Sequence, residues 1–149
     1  MSEIKKRLST IIQSPTFGKE EKLQKICHLL DQEMEHFNWT GFYFRNGEKE
    51  ELVLGPYVGA ETDHTVIPFG KGICGQVAVS GETFVVPDVQ AQDNYLSCSI
   101  DTKSEIVVPI FKNGKNIGQI DIDSHKLDPF TTEDKEMLEW LCNEVSEIL

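Results

Sequence analysis

Two cysteines, three carboxylates and a pair of aromatic rings are the residues of this chain that could do chemistry together. Cys98 stands in the polar loop DNYLSCSIDTKS, where a thiol is at least partly accessible. Its reactivity would depend on that access and on a local field favouring the thiolate; the plain alternative is an incidental loop cysteine. Cys74 lies in PFGKGICGQVA, between glycines that let backbone approach closely. Its plain alternative is a small apolar residue packing a short helix against a sheet. Two such thiols, kept reduced, suggest a redox pair in which one attacks and the other resolves the resulting sulfenic acid to a disulfide.

In IGQIDIDS, period-two alternation puts Asp121 and Asp123 on one face of a strand and Ile120 and Ile122 on the other. Glu105 opens EIVVPIF, the neighbouring strand across an Asn113-Gly114 turn, so three carboxylates could converge. Carboxylates held close raise one another's pKa, and one that stays protonated can donate to a neutral oxygen while the others hold a cation. The alternatives are a solvated polar face, or a site for magnesium or calcium. Without a phosphate-binding loop an ammonium ligand ranks above a metal, and the reading carries no metal and no bound cofactor. Trp39 and Tyr43 share one face of NWTGFYF. They form either a core pair or an aromatic wall for a thioether-sized or cationic group.

The elements that must position these groups follow from periodicity. Leu23, Ile26, Cys27, Leu30, Met34 and Phe37 fall at spacings of three and four, predicting an amphipathic helix with Cys27 in the core. Ile4, Leu8, Ile11 and Ile12 predict a shorter helix ahead of it. Thr131 and Asp134 form a capping-box pattern before Met137, Leu138, Leu141, Val145 and Ile148, with Cys142 beside that stripe. Between the helices lie short β-rich runs: WTGFYF, ELVLGPYV, HTVIPF, TFVVPDV, EIVVPIF and IGQIDID. Asn46-Gly47 and Asn113-Gly114 each separate two runs, a hairpin signal that makes neighbouring strands antiparallel. Ile73 to Ser80 predicts a short helix ending near Gly81. The expectation is one α+β domain over 1–149, with helices in 1–37, sheet and pocket loops in 38–124 and a closing helix in 131–149.

A chain of 149 residues is long enough for an ordinary core without disulfides or structural metal. Its net charge of −11 repels phosphate backbones and anionic membranes, so neither nucleic acid nor membrane is expected as a partner. MSEIKKRLSTIIQS has no unbroken apolar stretch of signal-peptide type, and no run approaches membrane-spanning length. A cytoplasmic location is expected, with Cys27, Cys74, Cys98 and Cys142 as thiols.

The run GKGICGQVAVSGETFVVPDV, followed by SEIVVPIFKNGKNIGQIDIDS and preceded by NWTGFYF and ELVLGPY, resembles the GAF-domain family of free methionine-(R)-sulfoxide reductases. The resemblance implies a single GAF-like fold, an α+β domain with a central antiparallel sheet of about six strands flanked by N- and C-terminal helices. It implies reduction of the R epimer of free methionine sulfoxide, with a thioredoxin-like reductant and no cofactor. Under it Cys98 matches the attacking cysteine, and Cys74 a cysteine able to resolve. Glu105, Asp121 and Asp123 match substrate-binding carboxylates, and Trp39 and Tyr43 the aromatic wall. Many members carry a further cysteine where this chain has His64, expected to sit exposed at a strand start. Homodimerisation is expected from the same resemblance. The competing expectation is a non-catalytic GAF module that senses a small ligand, since a fold does not fix a function.

Overall fold

The computed structural model describes residues 2–96 and 99–149. Two helices, α1 (Ser2–Gln13) and α2 (Lys19–Glu33), precede three strands, β1 (Trp39–Arg45), β2 (Glu51–Val58) and β3 (Val66–Pro68). The short helix α3 (Gly72–Ser80) and strand β4 (Phe84–Val86) follow; then come β5 (Ser104–Lys112), β6 (Lys115–Ser124) and the closing helix α4 (Thr132–Ser146). The six strands form one antiparallel sheet in the order β3-β2-β1-β6-β5-β4. None of the helices among the described residues is long and apolar enough to cross a membrane.

Both faces of the sheet are covered, which explains why EIVVPIF reads as an almost continuous apolar run. Ile106, Val108 and Ile110 of β5, with Ile120 and Ile122 of β6 and Phe42 of β1, pack against α1, α2 and α4. Burying an aliphatic side chain of this kind contributes about 1.5–3 kcal/mol, so this face carries most of the core. Cys27 and Cys142 belong to it, as the helical periodicity predicted. The opposite face is smaller and is covered by α3 and by the loop residues that follow β4; Val107, Tyr43, Leu52, Ile73, Cys74 and Val77 meet there. The carboxylates lie on this second face because side chains alternate across a strand.

The punctuation follows local chemistry. Asn113 and Gly114 both have positive φ (52° and 78°), and they close the β5–β6 hairpin as expected. Asn46-Gly47 also joins antiparallel strands, but through a longer connection, because only Gly47 adopts positive φ there and Asn46 instead bonds to Glu51. Gly81 (φ 69°) caps α3 in the left-handed region, and both hydrogen bonds of the Thr131/Asp134 capping box are made. HTVIPF and TFVVPDV contract to three-residue strands. Pro68 and Pro87 lack the N–H that would extend pairing.

Candidate active site

The register of β5 on β6 puts Glu105 directly opposite Asp123 and Val107 opposite Asp121, so Glu105 sits diagonal to Asp121. The three carboxylates singled out in the sequence, two by alternation and Glu105 by the hairpin, therefore converge beneath α3, and all are buried, at 4%, 1% and 2% exposure for Glu105, Asp121 and Asp123. Asp121 Oδ1 and Asp123 Oδ1 are shielded from solvent and accept no hydrogen bond from the described residues. An unpartnered buried carboxylate oxygen is costly unless the group is neutral or meets a donor. Burial pushes the pKa of Asp121 up, against the opposing effect of hydrogen bonds with Glu105 and Cys74. It pushes Asp123 well above the usual carboxylate range, aided by the charge of Asp121 and opposed by a hydrogen bond with Glu105. The cluster is built to hold a proton, or to receive a cationic donor from outside.

Cys74 hangs over this cluster from α3, with Sγ 3.9 Å from Glu105 Oε2. Burial raises its thiol pKa well above the ordinary value, and the negative charges of Asp121 and Glu105 raise it further. The thiol form is therefore favoured, and attack by Cys74 requires that its proton first pass to a neighbouring group. Gln119, fully buried on the same strand face as the aspartates, donates from Nε2 to the Cys74 carbonyl oxygen at 3.1 Å. Its position in IGQIDID, two residues before Asp121, is a period-two signal that the sequence reading passed over.

Trp39 and Tyr43 lie on the same face of β1 and stack at 6.3 Å, and Trp39 stacks on Tyr57 of β2 at 5.4 Å. The wall is thus three rings deep. Trp39 Nε1 donates to Ala60 O, and the Tyr43 hydroxyl donates to His64 O at 2.8 Å. Gly41 lies beneath the stack: a Cβ there would stand 2.5 Å from Trp39 Cη2 and 2.7 Å from Tyr57 Cβ. Gly41→Ala is accordingly expected to destabilise the fold by about 1–3 kcal/mol through overpacking and to shift Trp39. Denaturant midpoints and tryptophan emission measure this; a variant unchanged in both would show that the stack yields freely.

Two cavities flank the carboxylates. One, of about 140 Å³, is lined by Trp39, Ser99, Thr102, Asp123 and His125 among others. The other, of about 10 Å³, is lined by His64, Cys74, Leu96, Glu105 and Asp121 among others. Leu96 lines the smaller cavity and Ser99 the larger. Cys98 itself lies outside the described residues. Asn94 fastens the turn that leads into α3, accepting from Gly72 N at 2.8 Å and donating to Gly70 O at 2.6 Å. Leu96 then packs so close to Gly72 (φ 65°) that a Cβ there would meet it at 2.9 Å.

One expectation requires correction. His64 is half-buried ahead of β3 and shares the small cavity with Cys74, rather than standing exposed at a strand start. Its N–H donates to Thr62 Oγ1 in a local turn, and its carbonyl is held by Tyr43, a contact through space that no local pattern announces. Tyr43 is fully buried behind Trp39 and lines neither cavity. Asn94 was also missed; its residue type, a frequent backbone-bonding group in turns, was the available signal.

A site with buried acids, an aromatic wall and a buried thiol suits a small ligand with a cationic group and a soft, polarisable end. A family model described as GAF domain matches residues 19–149. The chain is 35% identical to the free methionine-R-sulfoxide reductase of Escherichia coli, over 81% of this chain and 72% of that one. It is 47% identical to the free methionine-R-sulfoxide reductase of Saccharomyces cerevisiae over 70% of its own length, and the match spans 59% of the yeast protein. The free methionine-R-sulfoxide reductase of Neisseria meningitidis, solved in complex with its substrate, superposes with a TM-score of 0.88 at 34% identity, covering 97% of this chain and 84% of that one.

Proposed function

The chain belongs to the GAF-domain family, among the free methionine-R-sulfoxide reductases, and from that premise we propose that it reduces free methionine (R)-sulfoxide to methionine with cysteine as the electron source. The observation that carries this reading is the convergence of Glu105, Asp121 and Asp123 between Trp39 and Cys74, with two aspartate oxygens lacking partners among the described residues. A free amino acid brings an α-ammonium that such oxygens can accept from, and a methyl-sulfur end that suits the Trp39 ring.

In the proposed reaction the Cys98 thiolate attacks the sulfoxide sulfur. A proton reaches the sulfoxide oxygen from the Asp121–Asp123 pair, whose raised pKa keeps a proton available. The oxygen passes to the Cys98 sulfur, which loses two electrons and becomes a sulfenic acid; the substrate sulfur gains two, and methionine leaves. Cys74, the remaining thiol of this face among the described residues, then forms a disulfide with Cys98 and releases water. A thioredoxin-like dithiol returns both cysteines to thiols and is itself oxidised. The resemblance implies a further cysteine at the position of His64, and with histidine there the route from sulfenic acid to disulfide rests on Cys74 or on direct attack by an external thiol. No bound cofactor takes part in this scheme. A reducing, cytoplasmic setting suits it, with residues 1–149 working as one domain and two copies forming a homodimer, which sedimentation would reveal.

The deciding assay is methionine release from the separated R and S epimers of free methionine sulfoxide, with dithiothreitol and then thioredoxin. Turnover of the R epimer alone is expected. Absence of turnover with both epimers would replace the reductase by a ligand-sensing module.

A further inference from the structure

We propose that Cys74, Glu105 and Asp121 also form a binding site for one thiophilic divalent cation of the zinc or cadmium class. One ligand atom from each lies within 4.8 Å of the other two, and the Cys74 Sγ to Glu105 Oε2 separation is 3.9 Å. A tetrahedral zinc with a sulfur ligand at about 2.3 Å and an oxygen at about 2.0 Å holds them roughly 3.5 Å apart. The side chains need to close by only a few tenths of an ångström along that edge.

Two independent features point to an ion here. Asp121 Oδ1 is fully shielded, without a hydrogen-bond partner among the described residues, on a side chain only 1% exposed that lines the small cavity. That cavity, of about 10 Å³, is bounded by all three ligand residues. It has room for about one water-sized group, enough for a single ion drawn in among the three side chains. The donor set selects the metal. A thiolate among carboxylates favours a borderline or soft ion, whereas magnesium and calcium require six or more oxygens. Gln119 supports the site from behind by holding the Cys74 carbonyl, and Glu105 is oriented by its bonds to the aspartates.

An ion so placed would occupy Cys74 and two of the carboxylates. That it competes with methionine sulfoxide is the one part of this inference that rests on the proposed function. Cobalt(II) tests the site without turnover. Titration of the whole chain is expected to give one equivalent of tetrahedral cobalt with a thiolate-to-cobalt charge-transfer band that zinc displaces. The band should vanish in Cys74→Ser, and cobalt should bind at least tenfold more weakly in the near-isosteric Asp121→Asn, with circular dichroism confirming that both variants fold. No band in the wild type, or a band that survives Cys74→Ser, would overturn the site whatever the enzyme does. A cobalt band unaffected by saturating methionine sulfoxide, in a protein that turns that substrate over, would overturn the competition.

Discussion

Changing Cys98 to serine is expected to abolish methionine release from free methionine (R)-sulfoxide, a fall in kcat/KM of at least about a thousandfold. The reason is redox as well as acid–base. A serine hydroxyl stays protonated where a thiol can ionise, and its oxygen cannot give up two electrons to become the counterpart of a sulfenic acid. Substrate binding should survive, because the carboxylates and rings belong to the sheet and not to the loop carrying residue 98. Single-turnover assays with a sulfenic-acid trap measure both halves. Retained release in the variant would remove Cys98 from the reaction and make Cys74 the attacker, against the raised thiol pKa imposed by burial and by Asp121 and Glu105.

Glu105→Gln and Asp123→Asn form the second large effect. Each should raise KM for the sulfoxide roughly a hundredfold, since each removes a desolvated acceptor for the α-ammonium, whose charge favours the ionised carboxylate once substrate is bound. Asp123→Asn should at the same time raise the melting temperature at neutral pH. Folding raises the pKa of Asp123, so between the ordinary carboxylate range and that raised value the folded chain keeps a proton the unfolded chain has lost. Stability then falls as pH rises through that window, and asparagine removes this slope. Opposite movements of affinity and stability distinguish a binding group from a structural one. A variant that bound substrate normally and melted lower would make Asp123 part of the scaffold. Kinetics paired with thermal melts over a pH series supply both readings.

The parts of this molecule legible in sequence were those governed by short-range rules. Alternation placed Asp121 and Asp123 together because side-chain direction in a strand repeats every two residues, whatever lies opposite. Asn113-Gly114, Gly81 and the Thr131/Asp134 box declared their turns and caps because positive φ and cap hydrogen bonds are settled within a few residues. From these the antiparallel sheet, the end helices and the two core-facing cysteines followed. The resemblance carried by GKGICGQ, SEIVVPI and IDIDS added a family, which composition alone could not supply.

Other features depended on segments that meet only in space. Nothing near His64 in the chain says that Tyr43 will hold its carbonyl and bring it to the cavity of Cys74. Tyr57 joins the aromatic wall through the pairing of β2 with β1, and Asn94 reaches back across some twenty residues to fasten Gly70 and Gly72. Above all, Cys74 is an unremarkable small apolar residue in its own helix. It becomes a thiol of raised pKa and a prospective metal ligand because packing α3 on the sheet removes water from it and sets it against carboxylates supplied by two strands. Residue types and their local spacing determined which groups were available to this protein; burial and charge proximity, properties of the assembled fold, decided what state those groups are held in.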